Sequence, residues 1–377
     1  MPPLSLLIKP ASGLCNLRCR YCFYHDVAEN REVSSYGIMS EDTLENVLKK
    51  ALAASEYEIT IAYQGGEPTL AGLDFFRKSV ELQNLHNKKR LTIHNAIQTN
   101  GVHLTAEWAE FFRENRFLVG LSVDGIMDVH DQNRMDAKGA GTFSAVMETA
   151  DLFDRHGVDY NILTVVTMSL ARRIRAAYRF FRKRGFGYLQ FIPCLDPLGE
   201  PFGRHGYSLT PEAYGRFLCD LFDLWYADME AGSAPSIRDF DNYVQMLMGY
   251  PPESCNLRGV CGMQYVVEAD GAVYPCDFYV LDFMRLGNLN EVGFSEIDQR
   301  RMQIGFIEAS EPLDPACDAC EFLSICRGGC RRHRETGEGL RRTYFCESYK
   351  MFFAHALPRL SAIARALLAR EGMGRGR

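Results

Sequence analysis

The chain has 377 residues, 47% of them hydrophobic, and a formal net charge of -6, enough for one large domain and a smaller one around a substantial core. That balance argues against general nucleic-acid binding, because a protein that neutralises phosphates presents a basic excess. No eighteen-residue apolar run and no basic-then-apolar leader pattern occurs, so no membrane segment is expected and the protein is read as cytoplasmic.

Up to about residue 230, strand-like and helix-like stretches alternate. Residues 4–9 read as the first strand, and Ser40 then serves as N-cap to an apolar stripe of Leu44, Val47, Leu48, Ala51 and Leu52. Further strands are expected at 58–63, 91–98, 117–123, 160–167 and 188–192, and helices near 73–86, 106–115, 142–156, 172–184 and 211–230. Six such β/α repeats imply a parallel sheet, since each helix returns the chain to start the next strand in the same direction; periodicity leaves open whether that sheet is flat or curled. The rhythm changes after about Gly232. Residues 264–273 alternate around Asp270-Gly271, the signature of a hairpin whose two-residue turn needs positive φ at both positions. A helix is expected over 349–368, and the Gly-Met-Gly-Arg-Gly-Arg tail reads as frayed. The expected division is a core domain at 1–230 and a small domain at 231–377 that bound metal would staple.

Thirteen cysteines in a reducing compartment point to ligands rather than disulfides. Cys194 and Cys219 stand alone and read as buried thiols. Cys15, Cys19 and Cys22 share one loop after the first strand, separated by three and then two residues. A zinc site, or a cluster that only carries electrons, closes with four ligands, so three cysteines suggest a four-iron cluster with one iron open. The alternative is zinc with His25 as fourth ligand. With Tyr21 between its last two cysteines, the loop resembles that of the radical S-adenosylmethionine (SAM) family, in which the open iron chelates SAM.

That resemblance implies further SAM contacts. Gln64-Gly65-Gly66-Glu67-Pro68 follows the second strand; paired glycines admit a ligand close to the backbone and expose amides to it, and Gly66 matches the family segment at the methionine end of SAM. Ser122, closing the fourth strand, and Arg134, in His130-Asp131-Gln132-Asn133-Arg134, match a hydroxyl and a guanidinium near SAM, while Leu195 matches an adenine contact. All follow strand C-termini, where ligand sites of such barrels gather. A turn cap, a surface charge and a core leucine are the plainer readings of these three.

The second cysteine region runs from Cys255 and Cys261 through Cys276 to Cys317-x2-Cys320-x5-Cys326-x3-Cys330 and Cys346. It resembles the SPASM extension of radical SAM enzymes acting on peptides. The resemblance implies one fully ligated four-iron cluster on Cys255, Cys261, Cys276 and Cys330 and another on Cys317, Cys320, Cys326 and Cys346, making three 4Fe-4S clusters with the first. The fold implied is α/β, a partial (β/α)6 radical SAM barrel followed by a small cysteine-rich SPASM domain with a β-hairpin and a C-terminal helix. The basic residues Arg327, Arg331, Arg332, Arg334, Arg341 and Arg342 read as a solvated face, able to neutralise thiolate charge and without a catalytic role.

From Ser5-Leu6-Leu7-Ile8-Lys9-Pro10 through Tyr274-Pro275-Cys276-Asp277-Phe278-Tyr279 to Gly328-Gly329-Cys330-Arg331-Arg332, nearly the whole chain resembles the anaerobic sulfatase-maturating enzymes. What that implies is oxidation of a cysteine or serine in an unfolded or nascent sulfatase polypeptide to Cα-formylglycine. A deoxyadenosyl radical from SAM would take the β-hydrogen, Asp277 the proton, and an auxiliary cluster the remaining electron. Asp277 as a loop cap is the plainer reading. Flavodoxin or ferredoxin would be the electron donor, with no nucleic acid and no membrane as partners. A SPASM enzyme forming a thioether crosslink, and a non-catalytic electron-transfer or zinc protein, are the alternatives.

Overall fold

The computed structural model describes residues 4–336, 339–340 and 342–374; Arg341 and the last three residues of the tail, 375–377, lie outside them. In chain order the elements open with β1 Leu4–Ile8, α1 Phe23–Glu29, α2 Glu41–Ala54, β2 Glu58–Tyr63, α3 Leu73–His86, β3 Thr92–Thr99, α4 Ala106–Glu114 and β4 Leu118–Ser122. They continue with α5 Met127–Asn133, α6 Phe143–His156, β5 Tyr160–Val166, α7 Met168–Arg172, α8 Ile174–Lys183, β6 Tyr188–Pro193, α9 Pro211–Glu230, β7 Ser236–Ile237 and α10 Arg238–Leu247. The rest comprises β8 Tyr265–Val267, β9 Ala272–Tyr274, β10 Gly287–Asn288, α11 Phe294–Ile304, α12 Leu323–Cys326, the short pair β11 Glu335–Thr336 and β12 Gly339–Leu340, and α13 Cys346–Gly374.

Packing divides the chain into two compact units that interleave along the sequence. The first holds the chain up to Val123, His130–Asn161 and Met263–Phe306; the second holds Asp124–Val129, Ile162–Gly262 and the chain from Ile307. In the first, strands lie in the order β10-β9-β8-β1-β2-β3-β4. β1 to β4 pair in parallel, as βα repeats require. The hairpin β8–β9 does not stand apart: β8 pairs in parallel with β1, Leu6 facing Tyr265 and Ile8 facing Val267. In the second unit β5, β6 and β7 are parallel neighbours.

Local chemistry explains these elements. The Ser40 hydroxyl accepts from the Thr43 amide and caps α2, whose apolar stripe Leu44, Val47, Leu48 and Ala51 is fully buried. β2 alternates, with Ile59, Ile61 and Tyr63 inward and each fully buried, each apolar side chain contributing roughly 1.5–3 kcal/mol. In the second unit α13 lays Phe352 against Phe222 of α9 and Phe240 of α10. By length and composition Cys346–Arg370 could cross a membrane, a property the uninterrupted-run criterion missed, but Phe352, Phe353, Ala356 and Leu360 are buried in protein packing.

The helix expected near 172–184 is α8, with the short α7 preceding it. Two expectations change. The hairpin turn has three residues rather than two: the Glu268 amide bonds the Ala272 carbonyl and the Gly271 amide bonds the Glu268 carbonyl. Only Gly271, at φ +88°, is left-handed, the geometry of a type I turn closed by a bulge. Finally, Cys219 is half-buried, whereas Cys194 is buried.

Candidate functional site

The pairing of β8 with β1 sets the site, because it delivers the segment after β9 to the loop after β1. Lys9 directly follows β1 and is buried at 3% exposure, and its Nζ lies 2.7 Å from Asp277 Oδ1. The Tyr24 hydroxyl, two residues past Cys22, donates to Asp277 Oδ2 at 2.5 Å, and the Gln64 amide approaches the same oxygen at 3.5 Å. The Lys9 ammonium also sits 4.0 Å over the Tyr24 ring. Burial, then the Asp277 carboxylate, pushes the Tyr24 phenol well above its usual range, so Tyr24 stays a hydrogen-bond donor. A second buried pair, Arg31 with Glu268 at 2.8 Å, ties the segment after α1 to the hairpin. Lys9, Tyr24 and Gln64 were not singled out from sequence; a lysine closing an otherwise apolar strand was the available signal.

The three-cysteine loop is held on two sides. Its Arg18 and Arg20 amides bond the carbonyls of Met135 and Asn133, and the Arg134 guanidinium stands 5.5 Å over the Tyr21 ring. Arg134 is 7% exposed, so it is not a surface charge. On the other side the Gly66 amide bonds the Ser12 carbonyl and the Glu67 amide the Leu14 carbonyl. Those two amides hold the loop. A Cβ on Gly66 would meet the Leu14 carbonyl oxygen at 2.0 Å, against backbone that cannot swing away. Gly66→Ala should cost about 1–3 kcal/mol by overpacking and lower iron bound at the first loop, checked by thermal unfolding with iron analysis.

Glu67, unnoticed in sequence except as part of the motif, is 1% exposed and braces the site. Its carboxylate accepts from Thr69, the Thr99 hydroxyl and the Asn100 amide. Asn100 in turn donates to Asn16 at 2.8 Å, beside Cys15. Burial raises the Glu67 carboxyl, against those hydrogen bonds. Ser122 is buried at the end of β4; Leu195, also buried, belongs to the second unit.

His25 does not join the cysteines: its ring is exposed on α1 and faces Glu29 at 3.6 Å. Among the described residues no three His, Cys, Asp or Glu side chains converge as a single metal ion would need. In the second unit Cys317, Cys320, Cys326 and Cys346 line one concavity. Cys330 senses the charges of Cys255 and Cys261, while Cys276 lies just beyond β9 in the first unit. Burial pushes the thiols of Cys15 and Cys326 up to about 11 and that of Cys330 to about 12, with neighbouring thiols adding to it. Buried thiols that repel one another are poor thiolates alone and suit a cationic iron core that compensates their charge; the donor sets fit iron-sulfur clusters.

Parallel βα repeats with three cysteines after the first strand, and a second cysteine-rich region, are features of an iron-sulfur radical enzyme. Residues 10–178 match the Radical SAM superfamily and 258–321 the SPASM iron-sulfur cluster-binding domain. A cysteine-type anaerobic sulfatase-maturating enzyme of Clostridium perfringens is 49% identical over 97% of this chain and 99% of its own. A serine-type anaerobic sulfatase-maturating enzyme of Bacteroides thetaiotaomicron is 33% identical over 98% and 93%. The solved structure of native anSMEcpe with bound AdoMet and Cp18Cys peptide superposes with a TM-score of 0.93 at 47% identity, covering 97% of this chain and all of that one. The chain belongs to the anaerobic sulfatase-maturating enzymes, radical SAM proteins with a SPASM domain. Its fold is accordingly the partial (β/α)6 barrel with the hairpin and C-terminal helix of that domain. The thioether-forming alternative is set aside.

Proposed function

We propose that the protein oxidises a cysteine of an unfolded or nascent sulfatase polypeptide to Cα-formylglycine without oxygen, with Asp277 as proton acceptor. The observation that carries this reading is the convergence of Lys9, Tyr24 and Gln64 on Asp277, with Tyr24 only two residues past Cys22 of the three-cysteine loop. The relatives named cysteine-type are 45% to 49% identical, those named serine-type 32% to 33%, which favours cysteine.

When bound, SAM and a four-iron cluster on Cys15, Cys19 and Cys22 supply hydrogen abstraction, and auxiliary clusters accept the remaining electron. Tyr21, Gly66, Ser122, Arg134 and Leu195 are the proposed SAM contacts. The auxiliary ligand sets are Cys317, Cys320, Cys326 and Cys346 and, by sequence resemblance, Cys255, Cys261, Cys276 and Cys330. Asp277 takes the thiol proton as the Cβ–H bond is lost, leaving a carbon–sulfur double bond that water converts to the aldehyde and hydrogen sulfide. Tyr24 and Lys9 fix the carboxylate's direction, and the burial of Lys9 and Asp277 limits competing water. The core spans 1–230 and the SPASM domain 231–377; a flavodoxin or ferredoxin is the electron donor, in the cytoplasm, with neither nucleic acid nor membrane as partner.

Anaerobic reconstitution should reach about twelve irons per chain by cluster stoichiometry, and a cysteine peptide should turn over faster than its serine counterpart. Iron levelling off near four, with the SPASM cysteines reactive to a thiol probe, would remove the auxiliary clusters. Faster serine turnover would remove the cysteine preference.

A further inference from the structure

Of the arginines read as a solvated face, Arg332 and Arg334 are buried, at 5% and 1% exposure. Arg332 has a structural use, donating to the Asp196 carbonyl at 2.8 Å. Arg334 is different. Its two terminal nitrogens donate to the carbonyls of Pro312, at 3.0 Å, and Ser310, and its Nε is buried without a hydrogen-bond partner. No carboxylate among the described residues forms an ion pair with it; the adjacent Glu335 is held by Arg331 at 2.6 Å. A guanidinium buried this way costs several kcal/mol unless an anion compensates it.

The groups beside it that become anionic on binding iron are cysteines. Ser310 ties Arg334 to Cys261: its hydroxyl accepts from the Cys261 amide at 2.8 Å while its carbonyl accepts from Arg334. On Cys261 the charge of Arg331, itself paired with Glu335, acts ahead of that of Arg334, and Arg334 also acts on Cys330. Among the described residues the other cysteine set has no such buried charge. Near it, Arg342 and Lys350 are both more than 40% exposed and face Asp314 and Glu347, so solvent screens them.

We propose that Arg334 is the built-in countercharge of the auxiliary cluster that includes Cys261 and Cys330, and that it raises that cluster's reduction potential relative to the other. This rests on the auxiliary-cluster reading above. A four-iron core with four thiolates is anionic and gains negative charge on reduction, so a buried cation at fixed position favours the reduced form. Arg334 is thus a positioning residue for charge and touches no substrate.

The test is a redox titration of the reconstituted holoenzyme followed by electron paramagnetic resonance, with iron analysis, for wild type, Arg334→Gln and Arg334→Lys. In Arg334→Gln one cluster should become at least tenfold harder to reduce, about 59 mV for one electron, while the other potentials stay put. Arg334→Lys should keep the wild-type value to within a few-fold. If Arg334→Gln loses about four irons, rescue of both iron and potential by lysine supports the charge. Wild-type potentials in Arg334→Gln at full iron would overturn the proposal. So would failure of lysine to rescue, which would mean that the hydrogen bonds to Ser310 and Pro312 matter and the charge does not. Wild-type iron near four would instead remove the auxiliary-cluster reading on which the proposal stands.

Discussion

Asp277→Asn should leave SAM cleavage in place while formylglycine falls by roughly a hundredfold or more, the scale of a missing general base. Asparagine matches aspartate in shape and still accepts the Tyr24 hydrogen bond, but it is a far poorer proton acceptor. The geometry adds a complication that the sequence did not announce. Lys9 is buried and its ammonium faces Asp277, so neutralising the carboxylate strands a buried cation, which typically costs about 3–5 kcal/mol. The single variant is therefore expected to be both inactive and less stable. The double variant Lys9→Met with Asp277→Asn separates the two effects: stability should largely return, because removing both members of a buried pair is nearly neutral, whereas formylglycine should not. Deoxyadenosine set against aldehyde, with thermal unfolding for each variant, reads both. Normal aldehyde from Asp277→Asn would move the base elsewhere, and activity returning with stability in the double variant would reduce Asp277 to a structural partner of Lys9.

Replacing Cys15, Cys19 and Cys22 together by alanine should abolish SAM cleavage and remove about a third of the iron. The loop should keep its place, since its backbone bonds to Asn133 and Met135, and those of Gly66 and Glu67 to Ser12 and Leu14, involve no thiol. Deoxyadenosine production by high-performance chromatography and iron analysis check both. Residual deoxyadenosine would place radical formation at another cluster, and loss of all iron would mean that the three sites assemble only together.

Much of this was open to inspection in the sequence because it depends on near neighbours. The stripe of α2, the alternation of β2 and the Cys15-to-Cys22 spacing are local patterns, and the structure carries them within a residue or two of the expected bounds. The site's pairings are not local. Tyr24 and Asp277 are 253 residues apart, and they meet only because β8 adds to the edge of β1, a strand order that periodicity does not encode. The hairpin turn was misjudged because Asp-Gly serves three-residue turns as well as two-residue ones, and only the register of Glu268 with Ala272 decides between them. The buried arginines escaped for a related reason: a run of basic residues reads as solvated unless a negative partner waits inside, and Cys261, beside Arg334, comes from a sequence segment far from it.

The central claim is the conversion itself, and the mass of a sulfatase-derived cysteine peptide after anaerobic incubation with SAM, reductant and reconstituted protein tests it most directly. The account predicts a product in which the cysteine has lost its sulfur and two hydrogens and gained one oxygen, and which reacts with an aldehyde probe. A product that has lost two hydrogens but kept its sulfur, or an unchanged peptide alongside abundant deoxyadenosine, would contradict it.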